Sequence, residues 1–97
     1  MKLETENKVA RRICDLMYAE RKAKKISQQK LCESLGITQG LLSKIENQKL
    51  QPSVYVWLTF CRIFGLTSEI AMNEPLYRKR ISVLKKKNDT KVSVLKH

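Results

Sequence analysis

Apolar residues recur along this chain at helical spacing, and capping residues and glycines mark where each run begins and ends. Val9, Ile13, Leu16 and Met17 (or Cys14) form one stripe, which predicts a first helix from about Asn7 to Lys24. The cluster Lys22, Lys24 and Lys25 falls near its C-terminus, where the helix dipole favours positive charge. Ser27 and Thr38 each precede a short amphipathic run, the position at which a hydroxyl satisfies an orphan backbone N–H. Leu31, Cys32 and Leu35 share a face of the second predicted helix, and Leu42 and Ile45 a face of the third. Gly36 lies between them, where the chain must stop and turn. Ser53 caps a fourth helix, with Val54, Trp57, Leu58, Cys61 and Phe64 expected inward and Gly65 ending it. A short fifth helix is expected from about Ser68 to Asn73, interrupted by Glu74-Pro75.

Beyond Pro75 the pattern changes. Ile81-Ser82-Val83-Leu84-Lys85 and Val92-Ser93-Val94-Leu95-Lys96 are alternating and β-branched, with Asn88-Asp89 between them as turn chemistry. A β-hairpin is the first expectation here. The rival is a single helix through Lys87, because Leu76, Arg80, Val83, Leu84 and Lys87 also fit a helical face. The chain thus divides into an all-α part, residues 7–73, and a C-terminal extension, residues 74–97.

Length and charge narrow the role. Ninety-seven residues, 42% of them hydrophobic, suffice for one small core. A formal charge of +11 points to an anionic partner, nucleic acid first and an anionic membrane second. The excess is concentrated at the end, where residues 76–97 hold eight Lys and Arg against one acid, Asp89. The charged N-terminus lacks the apolar core of a signal peptide, and the longest apolar run, Val54 to Cys61, is too short to span a bilayer. A cytoplasmic protein is expected. Cys14, Cys32 and Cys61 form no CxxC pair, and His97 is the sole histidine, so no metal site and no cofactor are expected. No nucleophile–base motif or phosphate-cradling glycine loop points to an enzyme.

The span from Ser27 to Asn47 is a helix-turn-helix by this reading. With the ordered set Arg21, Ser27-Gln28, Leu31, Leu35-Gly36-Ile37-Thr38, Ser43, Ile45-Glu46-Asn47, Pro52-Ser53, Leu58 and Gly65-Leu66-Thr67, the sequence resembles the phage-repressor and Cro-type helix-turn-helix family. The resemblance implies a compact five-helix domain that docks its third helix in the DNA major groove. It assigns base-edge contacts to Gln39, Gly40, Ser43 and Lys44, and phosphate contacts to Gln28, Thr38, Asn47 and Lys49. It also pairs Arg21 with Glu46 to tie the first helix to the third. Side-chain chemistry agrees, since Gln suits adenine N6 and N7 and Lys suits guanine O6 and N7.

Four positions depart from the family pattern. Gly40 either removes a base-reading side chain or permits closer approach to the groove, at a helical cost of roughly 1 kcal/mol against alanine. Leu41 either contacts a thymine methyl, the favoured reading, or belongs to the core. Lys25 and Gln48 stand where turn-forming glycine is common. The function expected is a sequence-specific transcriptional regulator, a homodimer on a two-fold symmetric operator. The alternative is an antitoxin that binds a toxin through the C-terminal extension and represses its own operon.

Overall fold

The computed structural model describes residues 4–88. Among them are five α-helices and one short 3-10 helix, with no strand: α1 Glu4–Ala23, α2 Gln28–Leu35, α3 Gln39–Glu46, α4 Val54–Phe64, the 3-10 turn Ser68–Ala71, and α5 Glu74–Asn88. The expected caps are in place. Ser27 Oγ accepts from Lys30 N at 3.1 Å, Thr38 Oγ1 from Leu41 N at 3.2 Å and Ser53 Oγ from Val56 N at 3.2 Å. Gly36 and Gly65 close α2 and α4 at φ of 73° and 68°, the left-handed conformation that a Cβ disfavours.

Helix α1 is the spine. Its buried Leu16, Met17 and Ala19 meet Leu31 and Leu35 of α2, Leu42 and Ile45 of α3, Phe60 and Cys61 of α4, Ile70 of the 3-10 turn and Leu84 of α5 in one core. Phe60 stacks on Phe64 with ring centroids 4.2 Å apart, and Trp57 Nε1 donates to Ser68 O at 3.1 Å, which fastens the 3-10 turn to α4. The phase of α4 differs from expectation. Val54 and Leu58 are exposed, while Val56, Thr59 and Phe60 join Trp57 and Cys61 inside. Apolar side chains surround this helix on nearly every side, so periodicity alone does not fix which face is buried.

The C-terminal part differs more. The fifth helix expected at Ser68–Asn73 is a single 3-10 turn, and Glu74-Pro75 opens α5 rather than interrupting a helix. Asn73 Oδ1 accepts from Leu76 N at 3.1 Å, and proline is tolerated in a first turn because its missing N–H has no intrahelical partner there. The β-hairpin is not formed: its first expected strand, Ile81–Lys85, is helical, and the second lies outside the described residues. Tyr77, Ile81 and Leu84 recur at helical spacing and pack against the core.

What decides between strand and helix is polar as well as apolar. Arg80 Nη2 donates to Glu20 Oε1 at 2.9 Å and its Nε to Glu20 Oε2, and Tyr77 Oη donates to Asp15 Oδ2 at 3.0 Å. Both acids lie on α1, and a helix spaces Tyr77 and Arg80 to meet them. Glu20 is fully buried and would be costly without Arg80. No described helix is long and apolar enough to cross a membrane. Cys14, Cys32 and Cys61 are free and buried in α1, α2 and α4. Burial raises all three thiols, Cys14 and Cys61 to about 11, with Asp15 adding to the first and Glu20 to the last.

Candidate nucleic-acid interface

Helix α3 is held from beneath by Leu42 and Ile45, which are buried, and it leaves Gln39, Gly40 and Lys44 exposed. Ser43 is half-buried beside them. Leu41 is half-buried and packs against the core, so only part of its side chain remains on this face. Around the face lie Thr38 at the start of α3 and Asn47 and Lys49 after its end, all three exposed.

A chain of hydrogen bonds runs from the core to this surface. Arg21 Nε and Nη2 grip Glu46 Oε2 and Oε1 at 2.7 and 3.0 Å, a bidentate pair whose side chains are only 10% and 3% exposed. Arg21 Nη1 also donates to Ile26 O at 2.7 Å, fixing the α1–α2 turn. Glu46 Oε1 accepts a second bond, from Gln28 Nε2 at 3.0 Å, and Gln28 Oε1 in turn accepts from Gln39 Nε2 at 3.2 Å. The buried ion pair therefore sets two glutamines, one at the first turn of α2 and one at the first turn of α3. Each helix start leaves backbone N–H groups without intrahelical partners, which suits an anion.

The end of α3 is equally defined. Lys49 N bonds to Lys44 O at 2.8 Å and Gln48 N to Ile45 O at 3.0 Å, the double closure of a Schellman motif. Asn47 Nδ2 donates to Ser43 O at 2.9 Å, adding a side-chain cap. The residue that glycine normally supplies is Gln48, at φ 62°; Lys25 closes α1 in the same way at φ 57°. Each left-handed non-glycine residue costs roughly 1–2 kcal/mol. Sequence reasoning marks both positions but misses Arg11, which lines one surface depression with Gln48 and Lys49 and brings another cation to the end of α3. Its helical stripe gives no sign of this neighbour, 38 residues away in the chain.

Gly40 meets nothing within 4 Å of an added Cβ and has no left-handed backbone to justify it. Neither packing nor a turn requires glycine there. Gly40→Ala is expected to raise the melting temperature by a few degrees, from up to about 1 kcal/mol of helix propensity. If the backbone of α3 lies close to its target, the same variant weakens DNA binding. Melting and titration of one preparation check both.

Among the described residues no group of His, Cys, Asp and Glu is arranged to hold a metal. The helix-turn-helix family model HTH_3 matches residues 17–70, more than half of the chain. No curated protein and no solved structure matches the chain. The match spans the last third of α1, helices α2, α3 and α4 and most of the 3-10 turn, and the chain belongs to the Cro/C1-type helix-turn-helix family of DNA-binding regulators.

Proposed function

We propose that this chain is a sequence-specific transcriptional regulator that lays α3 in the major groove, two copies occupying a two-fold symmetric operator. The observation that carries the reading is the hydrogen-bond chain from Arg21 through Glu46 and Gln28 to Gln39, which preorganises a polar helix face that the core does not use. Gln39, Gly40, Leu41, Ser43 and Lys44 face the base edges; Gln28, Thr38, Asn47 and Lys49 hold phosphates and set the register. Pairing of two copies is supported by the small number of base pairs one such helix reads. It is supported too by the exposed apolar Val54, Tyr55 and Leu58, one face of α4 beside the loop that follows α3.

Selection from a random DNA pool tests the whole reading. The expected product is an inverted repeat with half-site centres about 34 Å apart, or a multiple of that. Gln39→Ala and Lys44→Ala are each expected to lose about 1–3 kcal/mol of discrimination between the selected site and scrambled DNA. Equal losses on both DNAs would reassign them as phosphate contacts. Recovery of a single, unrepeated site together with a co-purifying second polypeptide would favour the antitoxin.

A further inference from the structure

The turn after α3 carries a left-handed glutamine, and the side chain of that glutamine is committed inward. Gln48 Nε2 donates to Asp15 Oδ1 on α1, and the other oxygen of the same carboxylate, Oδ2, accepts from Tyr77 Oη on α5 at 3.0 Å. The three residues come from three separate parts of the chain, and Tyr77 lies beyond the family-matched segment. Lys25, in the same backbone conformation at the end of α1, is exposed, and its turn is held through the backbone, by Arg21 Nη1 at Ile26 O. The two non-glycine closures therefore differ: at Gln48 the left-handed residue's own side chain makes the tether, and that turn lies beside Asn47 and Lys49.

We infer that Tyr77 is a positioning residue for DNA binding: through Asp15 and Gln48, α5 fixes the turn that presents Asn47 and Lys49 to phosphate. The inference deepens the DNA-binding reading and rests on it. Gln48 itself is not a DNA contact in this arrangement, because its amide is turned to the carboxylate. The phenol is a dependable donor. Desolvation, followed by the Asp15 charge and hydrogen bond, pushes its pKa up from the ordinary tyrosine value, so the proton stays on the phenol. Arg12, whose guanidinium lies over the Tyr77 ring 5.6 Å from its centroid and bonds Ala71 O, gives the ring a contact that does not involve the hydroxyl. Removing the hydroxyl alone therefore leaves the ring seated and cuts the tether at one atom.

The test compares intact Tyr77→Phe, Gln48→Gly and the double variant with the unaltered chain. Tyr77→Phe should weaken binding to selected and scrambled DNA alike by about three- to tenfold, since phosphate contacts carry no base information. In the Gln48→Gly background, where the tether is already gone and glycine accepts the backbone unaided, the same change should have no further effect. Amide hydrogen exchange without DNA gives the independent reading: the N–H groups of Gln48 and Lys49 should exchange faster in Tyr77→Phe, and those in the middle of α1 should not. Undiminished loss in the Gln48→Gly background overturns the inference, as does unchanged exchange at Lys49. A lowered melting temperature with unchanged affinity also overturns it, leaving Tyr77 a purely structural residue. If the unaltered chain binds no DNA, the functional reading fails, while exchange at Lys49 still decides whether Tyr77 holds the turn.

Discussion

Ending the chain at Asn73 is expected to lower its melting temperature by about 10–20 °C, even though the helix-turn-helix itself is left whole. Leu84 is fully buried, and its contact with the core is alone worth about 1.5–3 kcal/mol. Half-buried Tyr77 and Ile81 roughly double that, and the chain entropy released with α5 offsets part of it. Against a total stability of about 5–15 kcal/mol the remainder is a large fraction. Circular-dichroism melts of the intact and shortened chains measure it. Leu84→Ala in the intact chain should reproduce most of that loss, at the lower end of the usual range of about 2–5 kcal/mol for such a truncation. Identical melts would make α5 an appendage, and the buried Leu84 an incidental contact.

The second large effect belongs to Arg21. Arg21→Ala leaves the Glu46 carboxylate, 3% exposed, without its two charge-assisted bonds and Ile26 O without a donor, at a cost of about 3–5 kcal/mol. Binding should fall as well, because Gln28 and Gln39 lose the anchor that orients them. Replacing both partners separates the effects. The pair Arg21→Met and Glu46→Leu is expected to regain most of the stability, since no buried charge is left alone, while the affinity stays low. Denaturant unfolding gives the first quantity and titration well below the melting temperature the second. Affinity restored along with stability would show that the ion pair supports the fold and has no part in recognition.

How legible these features are in sequence depends on how far apart their partners lie. The caps Ser27, Thr38 and Ser53 and the closures Gly36 and Gly65 act within one turn of themselves, so residue type and local spacing identify them. The face of α3 follows from the two buried positions Leu42 and Ile45. The pairing of Arg21 with Glu46 enters through family resemblance, because nothing local to either residue names the other. Glu20 with Arg80 and Asp15 with Tyr77 are 60 and 62 residues apart and lie partly outside that resemblance. They are invisible to periodicity, yet they select helix over hairpin for a segment, Ile81 to Lys85, whose alternation fits both. In α4 the obstacle is different: a surplus of apolar residues leaves the inward face unmarked.

The three cysteines have a practical consequence. Each is a single thiol in a different helix, α1, α2 or α4, withdrawn from solvent and held in its unreactive protonated form. An alkylating reagent reaches any of them only when its own helix opens. The labelling rate at Cys32 thus reports excursions of α2, the helix that precedes α3, while Cys14 and Cys61 report α1 and α4. The chain carries its own gauge of local opening, able to show which part of the molecule gives way first without substituting a residue.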